Sequence, residues 1–467
     1  MRGMTIFITI AKGLIARNLL QNDFYALVKK HFDKVVVLST AWSDERFVTE
    51  FGGSNVVFLP LPQAPDTFAS KLIGNLSRYI IYNGRTEMMS AYNFDRGKDV
   101  PVIWWYPKYL ILKAVFVPLS KITSLRKLLR KIDVAFLHKK TVAKYRALIK
   151  EHAPNVVFVS NIVDNTEAAL VKAARRERVP SVAMVKSWDN FSKQYFGASA
   201  DTFAVWNQFM AEQAHALQDY KKEAIAIVGV PQFDYYADHF CIVPREVFCK
   251  RAGLDPNKKI IFFGSEGKLM PTDPNIVEVM RDFIKNNELA EECQVFVRPH
   301  FAYTHDREKF KDFFSSKEVV VDASHKSSSG FSDGWDYSRE QMEYFLNAIH
   351  HAAVVVNTAS TLTADALALN RPVILIAFEG YEKKTTYESV AGWYTSDYYQ
   401  KIVSFHAALM ADSVARLRSA INECLADPDI LSPARKKFKD YFCFKVDGGA
   451  GKRLFSVVYQ ETNSIKN

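Results

Sequence analysis

Short apolar runs alternate with amphipathic stretches along this chain. In the first half, Thr5–Ile10, Lys34–Ser39, Asn55–Leu59, Val156–Ser160, Ser181–Val185, Thr202–Val205 and Ile225–Val228 read as strands. Leu14–Lys30, Thr166–Arg178 and Gln208–Gln218 carry the helical period between them. The second half repeats the pattern. Lys259–Phe263, Gln294–Val297, Val319–Asp322, Val354–Val356 and Pro372–Ala377 read as strands, and Asn275–Asn286, Ser338–His350, Leu362–Leu369 and Asp412–Leu425 as helices. Gly451–Tyr459 predicts a last helix. Strands apolar on both faces belong to covered parallel sheets, and the helices between them imply right-handed crossovers. The expected fold class is therefore α/β, in two halves of similar size.

Two stretches break the alternation. A basic and aromatic insertion at about 64–148 is expected to be mostly helical, with Ile103-Trp-Trp-Tyr106, Tyr109-Leu-Ile-Leu112 and Lys121–Lys131 at its middle. Phe233–Pro244 is the best linker, and Asp322–Asp333 is a Ser/Gly-rich loop placed to act as a flap.

Length and composition sharpen this picture. A chain of 467 residues exceeds what one core usually organises. Its 48% hydrophobic content excludes disorder. The net charge of +10 asks for an anionic partner, yet no zinc-finger, RNP or recognition-helix pattern points to nucleic acid. Phosphates and lipid headgroups fit better. Five cysteines without a C-x-x-C pair suit free buried thiols in a reducing cytoplasm. The N-terminal apolar run is too short for a signal peptide, and Val100–Leu119, the nearest approach to a membrane span, is broken by prolines and lysines.

The chemistry concentrates where strands end, because open α/β folds bind ligands beyond the carboxyl ends of their strands. Val354–Ala377 reads as strand, hydroxyl-rich turn, short helix and strand, with Ser360 and Thr361 at the helix start, where free N–H groups favour an anion. Asp365, one turn further on the same face, can take a ribose hydroxyl or order the turn. Arg298 and His300 end another strand; arginine suits bidentate phosphate contact, and histidine a departing phosphate. Gly264 and Gly267 permit close backbone approach, with Ser265 and Lys268 as further donors. Glu379 follows the next strand end as a second acceptor for a sugar hydroxyl. In the first half, Lys186, Asp189, Asn190 and Lys193 close a strand opposite these motifs. Asp189 is the first candidate for a base, with Asp164 and Glu167 as rivals, although an Asx turn explains Asp189 equally well. Gly13 permits a tight loop facing the same crevice. No D-x-D or spaced His pair marks a metal site. Asp447–Lys452 lacks P-loop spacing. In the insertion, Trp104, Trp105, Tyr106 and Tyr109 beside Lys121, Arg126, Lys127, Arg130 and Lys131 suit either a membrane-surface element spanning 100–131 or a helix packed on its own domain.

On Arg298-Pro-His300, Ser360–Pro372 and Asp447-Gly-Gly-Ala-Gly-Lys-Arg453, the chain resembles GT-B-type glycosyltransferases. More narrowly, it resembles the CDP-glycerol glycerophosphotransferase and surface-polysaccharide transferase family. Trp188-Asp-Asn190 and Val205-Trp-Asn207 also look like first-domain segments of such enzymes. The resemblance implies two Rossmann-like domains facing across a cleft. An acceptor domain would span 1–240, with the insertion at 64–148, and a nucleotide-donor domain 241–440, the tail 441–467 crossing back. His300, Ser360, Thr361 and Asp365 would surround the donor's phosphates. Gly451 stands where the family's tail carries a hydroxyl residue, and Asn357-Thr-Ala359 stands where an acidic residue is often found.

The expected activity is transfer of a glycosyl or polyol-phosphate group from a UDP-, GDP- or CDP-linked donor. The acceptor is a hydroxyl of a cell-surface glycan or lipid carrier. No tightly bound cofactor or metal is expected, and the placement is cytoplasmic, peripheral at the inner face of the cell membrane. A UDP-sugar 2-epimerase and a non-catalytic membrane-peripheral scaffold are the alternatives.

Overall fold

A computed structural model of the protein describes residues 3–96, 102–237, 241–300, 303, 305–326, 328, 330–382, 384 and 389–463. The side chains of Trp104, Trp105 and Tyr106, and parts of the expected linker and flap, lie outside the described residues.

Two all-parallel sheets organise the chain. The first contains β1 (Thr5–Ile10), β2 (Lys34–Ser39), β3 (Val56–Pro60), β4 (Val156–Val159), β5 (Ser181–Ala183), β6 (Thr202–Val205) and β7 (Ile225–Ile227), in the order β3-β2-β1-β4-β5-β6-β7. The second contains β8 (Lys259–Gly264), β9 (Cys293–Arg298), β10 (Val319–Val321), β11 (Val354–Asn357), β12 (Val373–Ile376) and β13 (Leu409–Ala411), in the order β10-β9-β8-β11-β12-β13. Each order reverses once, between β1 and β4 and between β8 and β11. At a reversal the following loops splay apart and leave a crevice, so these two corners are where a ligand would be held.

The strands are apolar on both faces because helices cover both. One hydrophobic cluster runs through the first sheet and across the junction to one face of the second, and another fills the opposite face of the second sheet. Among the described residues the insertion folds as five helices, Phe68–Tyr79, Gly84–Arg96, Val102–Ser120, Thr123–Phe136 and Lys139–His152.

Leu14–Lys30, expected as one helix, is two: Gly13–Leu20 and Asp23–His31. Asn22 divides them. Its Oδ1 accepts from Phe24 N at 3.0 Å as an N-cap, while its amide donates to Asn18 O and Pro231 O. The C-terminal helix Ala450–Glu461 lies against Asp23–His31, with the His31 and Phe455 rings 5.2 Å apart and the Phe32 and Tyr459 rings 6.1 Å apart. Gly451 is needed there, because a Cβ would come within 2.8 Å of Phe24 N. That contact accounts for glycine in place of the hydroxyl residue.

Candidate active site

The β8 corner is shaped by a buried ion network. Ser265 Oγ lies 2.9 Å from Asp273 Oδ2 and 2.7 Å from Asp306 Oδ2, and accepts from Gly267 N at 3.0 Å. Lys309 bridges both carboxylates at 2.9 Å. Asp306 also accepts from His300 N at 2.7 Å, tying the β9 loop to the same network. Ser265, expected as a phosphate donor, is therefore engaged internally. Gly264 meets a packing demand, since a Cβ would reach 2.2 Å from Leu362 Cδ2. Gly267 has φ +67°, and a Cβ there would lie 2.1 Å from the Tyr303 ring. A side chain is excluded at both glycines; of the two residues between them, Ser265 is turned into the network and Glu266 is left to the turn's open side.

Glu266 is half-buried and hydrogen-bonds Ser360 from the β11 corner. Burial pushes its carboxyl up to about 8; the Ser360 hydrogen bond and Lys309 oppose this, while the charges of Asp273 and Asp189 add to it. Ser360 Oγ accepts from Leu362 N at 3.1 Å, and Asn357 Oδ1 accepts from Ser360 N and from Thr363 Oγ1. Ala359, at φ +45°, turns its N–H to the Tyr394 hydroxyl, 3.1 Å away. Thr361 is half-buried and makes no side-chain cap hydrogen bond. His300 lies beside Tyr303, with ring centroids 4.8 Å apart, and its buried Nδ1 has no hydrogen-bond partner. Burial pushes its imidazole below the usual range, so the neutral form dominates near pH 7. Lys268 is exposed, its ammonium 5.2 Å from the Tyr303 ring centroid. Glu266, Ser360, Thr361, His300 and Lys268 thus gather around one corner.

Three expected ligand residues are committed to protein partners. Arg298 pairs with Asp322 at 2.7 Å, reaches Gln341 at 3.3 Å and lies over the Phe345 ring. Asp365 accepts from Tyr236 Oη at 2.5 Å and from Gln232 Nε2 at 2.8 Å, and burial pushes its carboxyl up to about 6. Gln232 in turn accepts from Arg17, so Asp365 joins the two halves rather than facing a ribose. Glu379 is buried and accepts from Val390 N at 2.7 Å.

Across the cleft, Asp189 is an ion-pair centre. Arg85 and Lys193 each approach it at 2.8 Å, and Ser187 Oγ donates at 3.0 Å. Burial pushes its carboxyl up, but Lys193 and Arg85 together outweigh burial and hold it well below the usual range. Such a carboxylate is a weak proton acceptor, which weighs against the role of base expected of it. Asp164 caps the helix Asn165–Glu177 through Thr166 N at 2.8 Å. Glu167 is fully buried at the β1–β4 reversal, where it accepts from Thr9 Oγ1, from Ser160 Oγ at 3.0 Å and from Asn161 N at 2.9 Å. Burial pushes its carboxyl up to about 7, and its Oε1 has no partner. Lys186 lines a small cleft with Ser160, Trp206 and Gln232. Gly13 N donates to Asp333 Oδ1 at 3.0 Å, so the Ser/Gly-rich loop docks on the first β–α turn.

Sequence reasoning passed over Glu266, Arg85 and Arg17. For Glu266 a signal existed: an acidic residue held between two glycines just after a strand. Among the described residues no group of three His, Cys, Asp or Glu side chains is placed to hold a metal ion.

No protein-family profile and no curated protein matches the chain. Solved structures do, over nearly the full length. A putative UDP-N-acetylglucosamine 2-epimerase from Listeria monocytogenes is 10% identical with a TM-score of 0.54, covering 98% of this chain and 96% of that one. The UDP-GlcNAc 2-epimerase of Neisseria meningitidis bound to UDP-GlcNAc is 9% identical with a TM-score of 0.54, covering 99% of each chain. A glycosyltransferase from Rickettsia africae is 10% identical with a TM-score of 0.52, covering 98% of this chain and 100% of that one. At such identities the likeness establishes the fold: two Rossmann-like domains of GT-B type.

Proposed function

We propose that the β8–β11 corner binds the phosphates of a nucleotide-activated donor, UDP-, GDP- or CDP-linked. In this reading the protein transfers the glycosyl or polyol-phosphate group to a hydroxyl of a cell-surface glycan or lipid-linked acceptor. The observation that carries it is the Glu266–Ser360 contact at the topological reversal, with neutral His300 beside it. Thr361, Ser360 and Lys268 supply donors and positive charge. Glu266 holds its proton at neutral pH and can give it to the departing phosphate oxygen, which is general-acid catalysis at a carboxyl tuned by burial. Asp189 orders Arg85 and Lys193 at the opposite wall. The setting is cytoplasmic, at the inner face of the membrane, where activated nucleotides meet lipid-linked acceptors. The narrower kinship with glycerophosphotransferases belongs to the same proposal, as do the acceptor and donor roles of 1–240 and 241–440.

A UDP-sugar epimerase is the second reading. Two carboxyls that burial pushes up, Glu266 to about 8 and Glu167 to about 7, favour it, because epimerisation needs groups that can give and take a proton near neutral pH.

A melting-temperature screen of nucleotides and nucleotide sugars tests the proposal. A ligand at a hundredfold excess over its Kd stabilises the folded state by about 2.7 kcal/mol. Stabilisation by a nucleoside diphosphate species, reduced in Lys268→Ala and Thr361→Val, is the expected result. Indifference to every nucleotide would sink both readings. Incubation of UDP-GlcNAc without acceptor then separates them, since only an epimerase converts it rapidly.

A further inference from the structure

The helix Thr123–Phe136 packs Leu125 and Leu129 against Ile80, Ile81 and Tyr195, yet carries a second apolar stripe on its outer side. Its buried residues are Arg126 and Asp133. Arg126 pairs with Asp219 at 2.8 Å, and Asp133 pairs with Lys172. Arg130 also points inward, donating to Phe196 O at 3.0 Å and Gln218 O at 2.9 Å. Solvent instead meets Leu128, Ile132 and Phe136, spaced i, i+4, i+8 on one stripe, with Lys127 and Lys131 alongside. A surface helix of a globular protein normally keeps its outer face polar. The neighbouring helix Val102–Ser120 exposes Leu110, Ile111 and Val115, and Phe68–Tyr79 exposes Phe68 and Leu72. Phe68 is 85% exposed and Phe136 66%. Of the sixteen exposed large hydrophobics among the described residues, nine fall within 68–136, so the exposure is concentrated rather than scattered.

Charge indicates what covers this face. Residues 102–140 contain nine Lys or Arg and a single acid, Asp133, which is buried. We infer that the outer face of the insertion binds an anionic lipid surface, with Leu128, Ile132 and Phe136 entering the headgroup–acyl boundary and Lys127 and Lys131 on the headgroups. Nucleic acid would match the lysines and leave the apolar stripe wet. Protein interfaces favour arginine over lysine, and here the arginines Arg126 and Arg130 turn inward while lysines face out. Interfacial binding also suits the helix lengths: among the described residues no helix is long and apolar enough to cross a membrane. This inference deepens the membrane-peripheral part of the proposed function and stands apart from its chemistry.

Co-sedimentation of the full chain with vesicles tests it. Vesicles of phosphatidylcholine with phosphatidylglycerol should bind the protein, pure phosphatidylcholine much less, and added salt should weaken binding. Lys127→Ala with Lys131→Ala should weaken it about 25-fold, at about fivefold per lysine. Leu128→Ser with Ile132→Ser and Phe136→Ser should abolish it while the far-UV spectrum and any nucleotide-induced melting shift stay unchanged. Because these readouts are separate, failure here leaves the nucleotide reading standing. The inference falls if the wild type ignores anionic vesicles at low salt, or if the triple serine variant binds like the wild type. It also falls if light scattering finds a dimer that the triple variant dissociates, since the face would then serve a second copy of the chain.

Discussion

Replacing Glu266 by glutamine tests the corner most directly. The carboxyl moves from 4.5 in its ordinary state to about 8 in the folded protein, chiefly through burial. Below pH 4.5 both folded and unfolded chains are protonated there, and the group adds nothing to pH dependence. As pH rises from there to about 8, the unfolded chain releases its proton while the folded chain keeps it, so the wild type loses stability across that window. At about 1.4 kcal/mol per pH unit the loss has a ceiling of ~5 kcal/mol, reached near pH 8. Glutamine carries no such penalty. Urea unfolding at pH 5, 7 and 9 should show the variant gaining on the wild type by at least ~2 kcal/mol over that span. Nucleotide affinity measured by calorimetry should fall above pH 8 in the wild type, where an ionised Glu266 repels the phosphates, and stay level in the variant. Turnover should drop in the variant below pH 8, because an amide cannot surrender a proton, and the gap should close above it, where the wild-type carboxyl has lost its own. Parallel stability curves for the two proteins would refute the assignment of a neutral acid at this position.

Arg298→Ala would strand the Asp322 carboxylate, whose side chain is 0% exposed, and should cost about 3–5 kcal/mol. Chemical denaturation measures this, and lost nucleotide binding in that variant counts only where it is still folded. Gly451→Ser should destabilise the chain by about 1–3 kcal/mol through the clash with Phe24 N, read as a lower melting temperature with nucleotide response retained.

Much of the scaffold is legible in the residues, because buried parallel strands are runs of Val, Ile and Phe that little else imitates. β13 escapes this logic. Leu409-Met-Ala411 is an edge strand of three residues with Met410 exposed, and its alanine-rich flanks suit a helix as well. The break at Asn22 escapes too, since its amide is tied to Pro231 O, far along the chain. At the site, the hydroxyl turn and the glycines of the β8 loop can be found by pattern. What pattern cannot supply is how each group is spent. Ser265 reads as a free donor until Asp273, Asp306 and Lys309 close around it, and Asp189 reads as a base until Arg85 arrives from the insertion.

Those commitments decide the sign of the open part of the cleft. Arg298 and Asp365 are consumed in pairing and in joining the halves. The rest can be counted: Lys268 brings one positive charge, Arg85 and Lys193 against Asp189 leave one more, and Lys309 against Asp273 and Asp306 takes one away, for a balance of one positive charge. His300 and Glu266 contribute none while one is neutral and the other protonated. On the proposed reading, a diphosphate meets a net attraction that rests on a single proton. Remove it, and the carboxylate beside Ser360 cancels the remaining positive charge, in a half-buried site where Coulomb energy is several-fold larger than in water. On the proposed reading, burial of Glu266 is a condition for anion binding as well as a source of acid, and both properties are lost together at high pH.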